Sequence, residues 1–159
     1  MATHEVNTTG TLNMLEIARQ NNSHFIYSSS SSVYGANDAI PKNEKMWLAP
    51  KTPYAASKLS AESYVQSYGH SYDVPVTNLR FFNVFGPKQR PNHQYAAVIP
   101  KWIWKAINDQ PIEVYGNGEY TRDFTFVGTV VDIIEQAIVR RVLTKSSVNV
   151  AYGLSLIHI

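Results

Sequence analysis

Cysteine is absent from this sequence of 159 residues. That excludes a disulfide framework, a thiolate nucleophile and a Cys-ligated zinc site, and it is compatible with a cytoplasmic location, which is the expected one. Charge is also sparse, at 16% of residues with a net of +2. Lys and Arg are scattered, with no basic run of the kind that tracks a nucleic-acid backbone, so no nucleic-acid partner is expected. No apolar run approaches the ~20 residues needed to span a bilayer, and Met1-Ala2-Thr3-His4-Glu5 lacks a basic-then-apolar signal pattern; no membrane association is expected. The five His residues show no His-x-x-x-His spacing, and no metal is expected. What is present is a composition 44% hydrophobic and 12% aromatic, which suits one folded domain with a sizeable core.

Segments alternate in a helix–strand rhythm. Leu12, Met14, Leu15, Ile17 and Ala18 give helical spacing from roughly Asn7 to Gln20. His24 to Tyr27 reads as a buried strand and runs into Ser28–Ser32, then Val33-Tyr34-Gly35; residues 36–52 are loop-like. Thr52-Pro53 is a strong helix start, a hydroxyl cap followed by Pro at the first helical position, and the helix is expected to run to about Tyr72. Pro75 to Phe82 reads as the next strand and residues 83–95 as a polar loop. Ala96 to Asn108 reads as a helix, Ile112 to Tyr115 as a strand, Gly116-Asn117-Gly118 as a hairpin-type turn, Arg122 to Phe126 as extended, Val130 to Leu143 as a helix and Ser147 to Ala151 as a strand. Strands alternating with helices predict an α/β fold with a parallel sheet.

Tyr54-Ala55-Ala56-Ser57-Lys58 carries the chemistry. On a helix, positions i and i+4 share a face, so Tyr54 and Lys58 point the same way. An ammonium near a phenol favours the phenolate, and a phenol so tuned can act as a general base on a sugar hydroxyl. Taken alone, such a pair is more often a solvated face with a packed ring. The Ser run changes the balance, because it ends an apolar strand, and ligands of open parallel sheets bind at the carboxyl ends of strands. Gly116-x-Gly118 follows a strand but opens no helix, and reads as a turn rather than a phosphate loop.

Phe25-Ile26-Tyr27-Ser28-Ser29-Ser30-Ser31-Ser32-Val33-Tyr34-Gly35 followed by Pro53-Tyr54-Ala55-Ala56-Ser57-Lys58 resembles the active-site region of NAD-dependent nucleotide-sugar epimerases and dehydratases, the extended short-chain dehydrogenase/reductases. Asn7-Thr8-Thr9-Gly10-Thr11, Leu79 to Pro87, Tyr95 to Pro100 and Gly118 to Phe124 resemble further motifs of that family, in its order. The resemblance covers the chain to about Gly153. It implies a partial Rossmann-like parallel sheet with part of a smaller substrate-binding region, NAD as cofactor and a UDP-sugar as substrate. Tyr54 is the implied catalytic base. Lys58 is the implied holder of the nicotinamide ribose and the cation that depresses the Tyr54 pKa; Ser30 is the implied partner of the sugar hydroxyl. Phe82 is placed near the nicotinamide and Asn83 at the substrate diphosphate or sugar. Val98 and Tyr115 would line the nucleotide pocket, and Arg122 would pair with the diphosphate. Outside the family, Arg122 reads as a surface ion pair with Asp123, Phe82 and Val98 as core, and Asn7 as a helix cap.

The implied reaction is 4-epimerisation of a UDP-hexose. Dehydratases of the family carry Thr-Asp-Glu where this chain has Ser30, Ser31 and Ser32, so the acid–base pair for elimination is missing. UDP-glucuronate, UDP-N-acetylglucosamine and UDP-glucose stay open as substrates, and a reductase of the same family keeps the same triad. The resemblance implies a homodimer for the full-length parent, through the Asn7 and Pro53 helices. It divides the chain into the latter half of an NAD-binding domain (1–83), substrate-region segments that also return to that domain (84–153), and a non-native tail (154–159). The family's glycine-rich strand–turn–helix for the NAD pyrophosphate has no counterpart among these motifs. Weak NAD binding and poor turnover by the isolated chain, and an open sheet edge, are therefore expected, and an association module without catalysis is the alternative reading.

Overall fold

The computed structural model describes residues 2–91, 97–114 and 121–153. The first helix, α1, runs from Ala2 to Gln20 in three consecutive parts: an α-helical turn Ala2–His4, a π-helical stretch Glu5–Thr9, and an α-helix Gly10–Gln20. The helix therefore starts before Asn7. Asn7 does not cap it; it sits inside the wider π turn, a local departure that needs a side-chain reason. That reason is the neighbouring helix: Asn7 Nδ2 donates to Ser57 Oγ at 3.0 Å and Thr8 Oγ1 to the Ser57 carbonyl at 3.2 Å.

Strand β1 (Phe25–Ser30) leads through a 3₁₀ turn (Ser31–Tyr34) and a long loop to helix α2 (Pro53–Ser71). The α2 start is the expected one: Thr52 is extended, its Oγ1 accepts from Ala55 N at 3.1 Å, and Pro53 opens the helix. Strand β2 (Val76–Phe81), the short strand β3 (Asn83–Phe85) and helix α3 (Val98–Ile107) follow. Strand β4 (Phe124–Phe126), helix α4 (Val127–Val139) and strand β5 (Val148–Val150) close the described chain. Strand β3 falls inside the stretch expected to be loop. It forms because Phe85 can stack against Phe124 and Phe126 across a parallel pairing with β4. Residues 112–114, expected to be a strand, form none; Tyr115, the expected turn at 116–118 and residues 154–159 lie outside the described residues.

The main sheet is parallel, in the order β1-β2-β5. Its faces are covered separately. Tyr27 and Val76 pack with Leu15 and Ala18 of α1 and Ala61, Val65 and Tyr68 of α2. Leu79 and Val150 pack with Val130, Ile133 and Ile134 of α4 on the opposite face. The register sets Ser30 beside Phe81, and Phe81 beside Val150. The carboxyl ends of all three strands are therefore level, and the loops that leave them start from one edge.

Gly35 shapes the first of those loops. Its φ of +50° is left-handed, and an added Cβ would sit 1.8 Å from the Ala49 carbonyl oxygen, which accepts from Ala36 N while Ala49 N donates to the Val33 carbonyl. Gly35→Ala is expected to destabilise the chain by at least about 2 kcal/mol. A calorimetric scan should show this as a drop in Tm of about 4–8 °C; an unchanged Tm would mean the loop relaxes freely.

Candidate active site

Helix α2 presents Tyr54, Lys58 and Glu62 one turn apart. Lys58 is seated against β1. Its Nζ donates to the Ser28 carbonyl at 2.9 Å and lies 5.2 Å from the centre of the Tyr27 ring. Burial lowers its pKa from the ordinary lysine value. The Tyr54 side chain is 46% exposed, and its hydroxyl makes no hydrogen bond among the described residues. Lys58 and Tyr54 share one face of α2 without a direct hydrogen bond between them among the described residues, and the Lys58 ammonium bonds the strand carbonyl.

Ser30 ends β1 and caps the 3₁₀ turn: its Oγ accepts from Ser32 N at 3.2 Å and Ser32 Oγ at 2.9 Å. It lines a cavity of about 480 Å³ with Ser31, Ser32, Phe82, Asn83 and Arg122. A second cavity of about 430 Å³ shares Ser31, Lys42, Phe82, Asn83 and Arg122, and adds Glu44 and Asp123. Phe82 is held there by its N–H to the Val150 carbonyl and by packing of its ring on Tyr34. Asn83 Nδ2 donates to the Asp123 carbonyl at 2.9 Å, and the β3–β4 pairing brings Arg122 beside it. The Arg122 guanidinium donates to the Thr121 carbonyl at 2.7 Å.

Four of the expected residues, Ser30, Phe82, Asn83 and Arg122, therefore share one cavity wall. Tyr54 and Lys58 stand on α2 against the same strand but outside the described lining of both cavities. Val98 opens α3 and is likewise not part of that lining; Tyr115 lies outside the described residues.

The structure adds a buried charge network that sequence reading passed over. Glu62 and Arg80, 1% and 3% exposed, are bridged at 2.5 Å. Ser29 Oγ donates to Glu62 at 2.5 Å, Arg80 Nη1 donates to the Tyr34 hydroxyl at 2.9 Å, and that hydroxyl donates to Asn149 Oδ1 at 2.8 Å. Asn149 continues to the cavity wall, its N–H donating to Glu44. Burial opposes the Arg80 charge, but the hydrogen bonds and charge of Glu62 outweigh it and raise its pKa. Two signals were present: a charged residue in the otherwise uncharged run Val76–Phe81, and a carboxylate one turn beyond Lys58.

Residues 1–151 match the NAD dependent epimerase/dehydratase family. The chain belongs to this family. Among relatives of the epimerase/dehydratase family, a probable UDP-glucuronate 4-epimerase of Rhizobium meliloti is 41% identical over 132 residues, 82% of this chain and 38% of the relative. The structure of UDP-N-acetylglucosamine 4-epimerase from Methanobrevibacter ruminantium M1, in complex with UDP-N-acetylmuramic acid, superposes with a TM-score of 0.87 at 38% identity. It is matched over 92% of this chain and 47% of its own. A dTDP-glucose 4,6-dehydratase from Bacillus anthracis in complex with NAD is also similar, with a TM-score of 0.83 at 27% identity, over 93% of this chain and 47% of its own. The chain thus spans less than half the length of these relatives. The α/β architecture with its parallel sheet is that of the family, and NAD is the family's cofactor. Among the described residues, no helix is long and apolar enough to cross a membrane.

Proposed function

We propose that the chain carries the catalytic half of a UDP-sugar 4-epimerase. The observation that supports this most is the level ending of β1 and β2. It groups a hydroxyl (Ser30), an amide (Asn83) and a guanidinium (Arg122) around one cavity, beside the helix that bears a phenol and an ammonium.

The residues present suit the nicotinamide end of NAD. Lys58 spends one N–H on Ser28, which leaves two donors for a ribose diol, and Phe82 flanks the strand end. NAD, when bound, would supply the hydride acceptor and donor at the sugar C4. Tyr54 Oη would take the proton of the C4 hydroxyl and return it after the keto sugar has turned over. Ser30 Oγ would hydrogen-bond that hydroxyl and fix its distance from the phenol. Arg122 would pair with the diphosphate through its planar fork, with Asn83 beside it. Val98 and Tyr115 would line the nucleotide pocket.

Epimerisation is favoured over dehydration because Ser30, Ser31 and Ser32 carry no carboxyl for the elimination step. The homodimer is supported by the exposed Met14 and Ile17 on α1 and Tyr64 on α2.

Titrating NAD, then UDP-glucuronate or UDP-N-acetylglucosamine, into the isotopically labelled chain tests the reading. Amide shifts are expected at Ser30, Lys58, Phe82, Asn83 and Arg122, and the product spectrum should show the 4-epimer. Shifts confined to the outer faces of α1 and α2 would overturn it in favour of an association module, and a 4-keto-6-deoxy product would overturn it in favour of a dehydratase.

A further inference from the structure

We propose that Tyr27 is a positioning residue for Lys58: its ring face and the Ser28 carbonyl form a two-sided seat that fixes the ammonium against β1. The inference rests on the reading of Lys58 as the cation of the site, and extends it to a residue one layer further in.

The geometry comes from the pleat. Phe25 N–H bonds the Pro75 carbonyl just before β2, so the backbone groups of positions 25, 27 and 29 face β2, and the Ser28 carbonyl faces away from it. Lys58 takes that carbonyl. The Tyr27 side chain points to the α2 face and is 6% exposed among Leu15, Ala61 and Val65. Its ring therefore cannot swing away, and its hydroxyl reaches the Lys58 carbonyl at 3.4 Å. The ammonium meets this fixed ring 5.2 Å from its centre, inside the range in which the ring quadrupole attracts a cation. A flexible lysine stem would otherwise sample many rotamers; the seat selects one and stabilises the charged form against burial. Tyr27 on β1 meets the Lys58 ammonium, Tyr54 and Glu62 stand one turn either side of it on its own helix, and the part of α1 that packs against α2 carries His4 and Glu5.

NMR of the chain itself, with labelled lysine, decides the matter. The Lys58 Hε protons are expected to be shifted upfield by the ring in the wild type and in Tyr27→Phe, and to lose that shift in Tyr27→Leu. The Lys58 pKa is expected to fall by about half a unit in Tyr27→Leu relative to Tyr27→Phe. A wild-type Lys58 with random-coil Hε shifts, or equal pKa values in the two variants, overturns the proposal. Should Tyr27→Leu not fold, the wild-type and Tyr27→Phe ring shifts still decide it. A second comparison separates the two claims. An intact ring signature with no Lys58 response to NAD removes the site reading and keeps the seat; a response to NAD without the ring signature does the reverse.

Discussion

Glu62→Leu is expected to lower stability by about 3–5 kcal/mol, because it strands the Arg80 guanidinium in the interior without its carboxylate. The loss is large because the pair is nearly sealed from water and because one carboxylate serves three elements. It accepts from Ser29 on β1 and from Arg80 on β2 while standing on α2. Removing both charges together should behave differently. Glu62→Leu combined with Arg80→Met leaves no unpaired ion, and replacing a buried pair by apolar groups is often neutral or favourable. The double variant should therefore recover most of the loss, although the Ser29 hydroxyl then loses its carboxylate acceptor and the Tyr34 hydroxyl keeps only its bond to Asn149, so some cost remains. Urea unfolding of the two single variants and the double variant measures the coupling. A single-variant cost below about 1 kcal/mol would mean that water or a neighbouring group compensates Arg80, and that the pair does not hold α2 on the sheet.

The second large effect concerns the proposed chemistry. Tyr54→Phe keeps the ring and deletes only the hydroxyl, so it should leave UDP-sugar binding within a factor of about two and lower kcat by about 10²–10⁴-fold, the range for a lost general base. Tyr54 is half exposed and packs loosely, so folding should be unaffected, and a matching far-UV spectrum and Tm would separate catalytic loss from misfolding. Initial rates at the highest attainable NAD concentration, beside wild type in the same assay, provide the check. Wild-type turnover by Tyr54→Phe would remove Tyr54 from the role of base, and a raised KM with unchanged kcat would make it a binding residue instead.

Much of the architecture was legible because it rests on local rules. Thr52-Pro53 opened α2 where a hydroxyl cap and a proline belong, and Tyr72 ends it. The apolar runs near Phe25 and Val76 became neighbouring parallel strands. Boundaries slipped where termini are decided by packing: α4 begins at Val127, three residues early, since Phe126 already leaves β4 as its cap. Strand β3 was illegible because three residues carry no period, and only its partner β4 makes it a strand.

The site divides in the same way. Sequence alone determined which side chains share a face of α2 and that a hydroxyl-rich segment ends a strand, because both follow from the repeat of a helix and the alternation of a pleat. Only the tertiary structure decided that Glu62 and Arg80 lie inside, that Lys58 turns to the Ser28 carbonyl and the Tyr27 ring, and that Ser30 and Arg122 line the same cavity. Those outcomes depend on which strands stand side by side and in what register. That is fixed by apolar burial on both sheet faces, an interaction between residues of different elements, far apart in the sequence, that no local pattern encodes.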